Sequence, residues 1–574
     1  MGTMINFGID LGTTNSVIAK FERGEVKVFR DPVSWKDTLP SVVAYRSERV
    51  IVGTKAKERM EKDPRNVVGV FKRKMGTSES YPIKSLGENK TPIELSAQVL
   101  RHLKSFVEGE DVDEAVVTIP ASFDTIQSNA TKEAGKQGGF SQVVLLQEPI
   151  AASLSYANET KDTDLNNSQW MVYDLGGGTF DVALVRIQDG EMRVLDHEGD
   201  NFLGGADFDQ MIVEKIIIPH LEKKGRFANL EQEMKSAGGK YNAQYYVCLH
   251  KAEQAKIELS AQPVAEIEVM MEDDRGREID TIITLKREEF EALIRPAVDS
   301  TVNMVKSILK RNSLSPLDIR FVLMIGGSTY IPYVRKTVGA DLQIETNCDI
   351  DPTTAVAMGA AYYAGTKPKT AKKSTIDLTK KKHFKIKMAY QKVSKEDEEF
   401  FAARFEGEID GHTYRITRDD SGFDTGNKPL KTQIHEELPL VENAYNFFRL
   451  VIYDRDGNQV ATDAEPIGIA HGIYGVEGQP LPNDISIEVD DLENEGQTKL
   501  EMIFAKNNVL PLKKTITKRL NKSISKGSTD SLRINILEGP HTVLPEANLS
   551  IGYMEISGTD LHRDITKGSD IEVS

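Results

Sequence analysis

Two glycine turns in matching surroundings constrain this chain more than any other feature of its sequence. Asp10-Leu11-Gly12-Thr13-Thr14 recurs as Asp174-Leu175-Gly176-Gly177-Gly178-Thr179. Each turn follows an apolar strand, Ile5 to Ile9 in the first copy and Met171 to Tyr173 in the second. Each also leads into a second strand, a polar turn ending in Gly-Glu and a third strand. These are Val17 to Phe21, Gly24-Glu25 and Val26 to Phe29, then Val182 to Ile187, Gly190-Glu191 and Met192 to Leu195. Two such units imply two related lobes that face each other.

The turn has a readable chemistry. Glycine allows a tight bend in which successive N–H groups converge on phosphate oxygens. The threonine hydroxyl adds a donor. The aspartate would repel phosphate directly, so it suits a magnesium ion held mainly through water. One copy alone reads as an ordinary hairpin with a polar turn. Two copies, with a third glycine turn after a strand at Ile325-Gly326-Gly327-Ser328-Thr329, read as a phosphate cradle. Neither a Walker A sequence nor the dinucleotide G-x-G-x-x-G is present.

The surrounding chain is consistent with an α/β body. Val116 to Pro120, Val143 to Leu146 and Phe321 to Ile325 predict buried strands, and the alternation from Asp181 to Ile187 predicts a half-exposed one. From Lys367 to Lys387 nine of twenty-one residues are lysine, which reads as a solvated linker. Beyond it helical periodicity is scarce. Thr413 to Thr417, Phe448 to Tyr453 and Leu532 to Leu537 predict strands, so the C-terminal third is expected to hold two small β domains. The reading is 4–366 for the nucleotide lobes, 367–385 for the linker, 386–478 for an inserted β domain and 479–574 for a β-sandwich module. Asp454 to Asn458, with Glu465 twelve residues into the count, imitates a calcium loop. Its glycine falls at the fourth position instead of the sixth, so a hairpin turn is expected.

Composition excludes several classes. No apolar run approaches the ~18–20 residues of a membrane-spanning helix. Two cysteines, Cys248 and Cys348, cannot build a disulfide framework, and Met1 to Phe7 lacks the pattern of a secretory signal, so a cytoplasmic setting is expected. A net charge of −16 argues against a generic nucleic-acid binder.

The motifs resemble those of DnaK-type heat-shock chaperones, the seventy-kilodalton family. Ile9 to Ser16 and Tyr173 to Val182 are similar to the family's phosphate motifs. Ile119 to Phe123, Ala130 to Gly135 and Gln147 to Ala152 are similar to its connecting region, and Glu253 to Ser260 to its adenosine-contacting helix. Met324 to Pro332 and Ala355 to Ala361 complete the match over about residues 5–365. The resemblance implies an actin-like (duplicated ribonuclease H-like) ATPase that binds ATP or ADP, magnesium and potassium between its lobes. It implies that Lys72, Glu148, Asp174 and Thr179 act in hydrolysis and that Asp10, Asp174 and Asp181 serve the cations. Gly12, Thr13, Thr14, Asn15, Gly176, Gly177, Gly178, Thr179, Gly204 and Gly205 would hold the phosphates. Glu253, Lys256 and Ser260 would contact ribose and adenine, Tyr330 would stack on adenine, and Gly326, Gly327 and Ser328 would also bind the nucleotide. A fixed cation at Lys72 would stabilise charge on the transferring phosphoryl group. Pro120 matches a hinge proline.

The departures bear on mechanism. Tyr330 stands where the family stacks an arginine on adenine, and a ring can stack as well. Ala206 and Thr353 replace acids, and Ser128 replaces an arginine implicated in interdomain relay. Val144, Gln147 and Ile150 occupy positions where J-domain cochaperones dock on other residue types. The resemblance therefore implies ATP binding without implying stimulation by J-domain partners or a nucleotide-exchange factor. The family's apolar linker is replaced by the lysine run. Residues 485–574 are similar to the family's peptide-binding β module, with Ile503 and Phe504 as core or pocket, and stop before its last strands and helical lid. The expected function is an ATP-dependent chaperone for exposed, extended apolar peptide segments. A small-molecule kinase on the same fold and a nucleotide-regulated scaffold are the alternatives.

Overall fold

The computed structural model describes residues 4–573 apart from 23, 161–164, 189, 368, 370–384, 395, 408, 443, 461, 463–465, 472–474, 477, 492, 493 and 495. Almost all of the lysine-rich segment expected at 367–385 lies outside the described residues, as does Glu465.

Strands β1 (Phe7–Asp10), β2 (Asn15–Glu22), β3 (Glu25–Val28), β4 (Glu114–Ile119) and β5 (Gln142–Gln147) form the first lobe's sheet in the order β5-β4-β1-β2-β3. The second lobe repeats it. Strands β6 (Gln169–Leu175), β7 (Phe180–Gln188), β8 (Glu191–Asp200), β9 (Val322–Ile325) and β10 (Thr346–Asn347) are ordered β10-β9-β6-β7-β8. In both lobes the first three strands are antiparallel neighbours, and the remaining two join in parallel. The repeat in the sequence is thus a repeat in topology.

The half-exposed reading of Asp181 to Ile187 is corrected: six of its seven residues are buried, and only Arg186 is half-buried. Phe180, Val182 and Leu184 point into one hydrophobic cluster and Ala183, Val185 and Ile187 into another. A sheet covered on both faces buries both sets of an alternating strand.

Two helices cross between the sheets, α1 (Glu148–Glu159) and α2 (Ala355–Ala364). Small residues let them approach closely; a Cβ on Gly359 would lie 1.6 Å from the Ala151 carbonyl oxygen. Glu148 and Pro149 open α1, an acid beside the positive end of the helix followed by a proline that needs no N–H partner there.

After the lobes come two β units. The first pairs Lys385–Ala389, Glu398–Glu406 and Gln433–Pro439 in one sheet. A second sheet is built on Ala444–Tyr453, Thr413–Arg418 and Ile467–His471, and Phe401, Phe405, Ile416, Phe448 and Ile452 fill the space between them. The Asp454 loop is a hairpin turn as expected: Ala444–Tyr453 pairs with Gln459–Val460, and the Asp454 carboxylate accepts from the N–H groups of Asp456 and Asn458.

Leaving this unit, the chain adds a two-residue strand, Gly475–Val476, in parallel to the edge of β8. The last unit sets Thr498–Phe504, Ile485–Asp490, Ser531–Glu538 and Leu549–Ser557 side by side, with Ile516–Arg519 paired to Asp570–Val573. Ile503 and Phe504 are half-buried. This unit touches both lobes. Gln479 Nε2 donates to the Leu145 carbonyl at 2.6 Å, Gln147 Nε2 to the Pro480 carbonyl at 3.3 Å, and the Thr125 N–H to Glu538 at 3.0 Å. Lys506 Nζ reaches the His197 carbonyl at 3.5 Å. Among the described residues no helix is long and apolar enough to cross a membrane.

Candidate functional site

The repeated topology places the two glycine turns, each at the end of its lobe's first strand, face to face. A Cβ added to Gly177 would lie 2.1 Å from Thr14 Oγ1, and one on Gly178 2.3 Å from Thr13 Cγ2. Only glycine admits such an approach between opposing turns. Ser41 ties the first turn, its Oγ donating to the Gly12 carbonyl at 2.7 Å and its N–H to the Thr14 carbonyl at 2.8 Å. On the second lobe the N–H groups of Gly205 and Ala206 donate to the carbonyls of Gly176 and Gly177, and Ser328 Oγ donates to Gly176 O at 2.8 Å. The structure therefore brings together Gly12 to Thr14, Gly176 to Gly178, Gly204-Gly205 and Gly326 to Ser328. Asn15 lies exposed where β2 begins, and Thr179 is half-buried with its carbonyl closing the turn onto the Gly176 N–H. Thr14 Oγ1 is buried without a hydrogen-bond partner among the described residues. An orphaned donor at a convergence of backbone turns fits a phosphate oxygen.

Behind the turns lies a buried cluster of charge. Lys72 Nζ donates to Glu148 Oε1 at 2.8 Å, with only 4% and 8% of the two side chains exposed. Lys72 sits on a single helical turn, Phe71–Lys74, and its ammonium lies 5.6 Å from the Phe123 ring centroid. Thr118 donates to Asp10 at 3.2 Å and Ser122 to Asp181 at 3.1 Å. Burial, then Glu148, pushes the Asp10 carboxyl up to about 7. Burial with Glu148 also raises Asp174 and Asp181 well above the usual carboxylate range. Four acids crowd around one lysine, an arrangement that a divalent cation would relieve. Among the described residues no three His, Cys, Asp or Glu side chains converge closely enough to hold a metal ion directly. The acids fit a hydrated ion in their midst.

Beside the third glycine turn, where the family resemblance expects the adenosine, lies a cavity of about 550 Å³ lined by Lys256, Ser260, Gly327, Ser328, Tyr330 and Arg335. Tyr330 is 46% exposed, with the Arg335 guanidinium 5.2 Å from its ring centroid. Lys256 is engaged, donating to the Gly205 carbonyl at 2.9 Å and to Asp209 at 3.0 Å. Burial pushes Asp209 up to about 6 against the pull of Lys256. Glu253 instead reaches across the cleft to Lys57 at 2.5 Å, on the first-lobe helix Thr54–Met60.

Sequence reasoning missed one further bridge between the lobes. Arg73 Nε donates to the Gly178 carbonyl at 2.6 Å, while its terminal nitrogens grip Asp207 at 3.1 and 2.5 Å. Asp207 also caps the helix Gly205–Ile212 by accepting from the Gly204 N–H at 2.8 Å. In the sequence Arg73 is one cation among three in a row. The available signal was Asp207 three residues after Gly204, at capping spacing.

With this geometry in view, comparisons with known proteins give the family. A family model described as Hsp70 protein matches residues 6–397, and the chain belongs to that family. It is similar to proteins named Chaperone protein DnaK from Mycoplasmopsis synoviae and Mycoplasmopsis pulmonis, each 38% identical over 370 residues, or 64% of this chain and 59% of the relative. The protein of that name from Mycoplasma mobile is 38% identical over 359 residues, or 62% and 57%. The chain thus spans under two thirds of the length of these relatives.

Proposed function

We propose that this protein is an ATP-dependent molecular chaperone of actin-like architecture. It binds ATP in the cleft, hydrolyses it slowly, and uses nucleotide state to change the affinity of its C-terminal β module for exposed, extended apolar peptide segments. The observation that carries this is the contact of the two phosphate turns from opposite lobes, with the Lys72–Glu148 pair and its surrounding acids buried behind them. Family membership supports the same reading.

In this reading the backbone N–H groups of both turns and Thr14 Oγ1 bind the phosphates. Asp10, Asp174 and Asp181 would hold hydrated magnesium, and potassium would be a second cation. Magnesium, when bound, neutralises developing charge on the phosphates. Lys72, held by Glu148, orients the attacked phosphoryl group, and Glu148 accepts from the water that attacks it. Thr179 contacts the terminal phosphate, and Tyr330 stacks on adenine. The domain limits given above, a cytoplasmic setting and peptide as partner belong to the same proposal; J-domain and exchange-factor partners do not.

Coupling requires that ATP and ADP favour different arrangements of lobes and β module. The test measures ATP turnover and fluorescent-peptide anisotropy, with ATP and with ADP, in the wild type and in Lys72→Ala. The reading expects retained ATP binding, hydrolysis lost by at least about a hundredfold, and a nucleotide-dependent peptide affinity in the wild type. Equal peptide affinity in both nucleotides would refute it.

A further inference from the structure

A second cavity, of about 890 Å³, is lined in part by Thr13, Thr14 and Glu253 and shares no residue with the cavity beside Tyr330. Its floor is the Thr13-Thr14 turn, which also cradles phosphate in the reading above. One wall comes from the first lobe, with Met60, Val68 and Tyr81, and the other from the second, with Tyr245, Tyr246 and Leu249. A cavity of this size and character falls in the range of small-molecule sites.

Neither the phosphate cradle nor the adenosine cavity uses these walls. Tyr245 packs edge-on against Tyr246, with ring centroids 5.8 Å apart at 75°. Among the described residues the hydroxyls of Tyr81 and Tyr246 have no hydrogen-bond partner. Both phenols are protonated donors at neutral pH, and burial pushes their values further up. The carboxylates around the cavity each lie beside a cation or an imidazole: Glu253 beside Lys57, Asp209 beside Lys256, Glu88 beside Lys90 and Glu61 beside His250, while Arg65 and Lys84 stand among them. Such a lining suits a flat, uncharged group that accepts hydrogen bonds, not a further phosphate. The floor is the exception, since Thr14 Oγ1 there is buried and unpartnered.

We propose that this cavity binds a second nucleobase, so that the site takes a dinucleoside polyphosphate whose phosphate chain runs over the Thr13-Thr14 turn to a base held between the Tyr81 and Tyr246 walls. This rests on the nucleotide reading above and goes beyond it. Because the walls belong to different lobes, such a ligand ties the lobes together and slows their opening.

The test compares ATP and diadenosine tetraphosphate by calorimetry on the full chain with magnesium, in the wild type, Tyr81→Ala and Tyr246→Ala. The wild type is expected to bind the dinucleotide at least about tenfold more tightly than ATP, the scale of one base stacked on an aromatic ring. Each variant, from its own wall, should lose that gain while its ATP affinity stays within about twofold of wild type. Equal affinities in the wild type, or an undiminished gain in either variant, would overturn the second site alone. Failure of either ligand to bind would overturn the nucleotide reading along with it.

Discussion

Removing the guanidinium of Arg73 should release nucleotide faster, because that side chain ties the lobes together beside the phosphate turns. Its three hydrogen bonds, at 2.6, 3.1 and 2.5 Å, all end on the second lobe. The ion pair is largely out of water, with 12% of Arg73 and 18% of Asp207 exposed, so solvent screens it little. Hydrogen bonds to charged groups contribute about 1.5–3 kcal/mol. Asp207 keeps the Gly204 N–H after the change, so no buried carboxylate is abandoned and the loss is that of the bonds themselves. Counting the guanidinium's grip as a single charged interaction of about 2.7 kcal/mol, Arg73→Ala should speed lobe opening, and with it ADP release, at least about a hundredfold. Arg73→Lys should fall between, since an ammonium cannot reproduce the two-pronged grip. Stopped-flow displacement of a fluorescent ADP analogue reads the rate. An Arg73→Ala protein that is folded yet releases ADP within about threefold of wild type would refute the latch. So would a double-mutant cycle with Asp207→Asn that shows no coupling.

Three other outcomes follow from the same geometry. His197 on β8 is 3% exposed, and burial, with Lys506 and Arg311 opposing Asp196, lowers its imidazole from the ordinary 6.5 to about 4. Its folded form resists the proton, so its contribution to stability is fully present above pH 6.5 and is lost as pH falls towards 4. The loss is about 2 kcal/mol at pH 5 and about 3 kcal/mol in full. Urea unfolding at pH 7.5 and 5 should show a drop smaller by about 2 kcal/mol in His197→Phe, and an unchanged drop would count against this. Gly359→Val should cost at least about 3 kcal/mol, beyond ordinary overpacking, because α1 and α2 must separate to admit any side chain; an unshifted Tm would contradict it. Tyr330→Ala should weaken ATP binding about tenfold or more while Tyr330→Trp restores it, as titration calorimetry would show.

Much of the site could be read from sequence because its signals are local. A glycine turn at the end of a strand carries its backbone chemistry within five residues, and its repetition announces the second lobe. Lys72 and Glu148 were legible only through the family resemblance, since their 2.8 Å contact joins residues 76 positions apart. Arg73 and Asp207 are further apart still, and nothing near either names the other. The strand Phe180–Gln188 was misread because alternation reports which side chains share a face, not whether both faces are covered. The lysine run drew attention by composition, whereas Gly475–Val476, two residues long, has no pattern to detect.

That short strand also sets a tether length. Val476 is pinned to β8, and the first strand of the last unit begins nine positions further on, at Ile485. Nine extended residues span at most about 30 Å. If every contact at Gln479, Gln147, Thr125 and Lys506 were broken while the pinned strand held, the β module would remain confined to a small volume beside the second lobe. Its local concentration there would be on the order of millimolar. Re-docking is then a unimolecular event that dilution cannot slow.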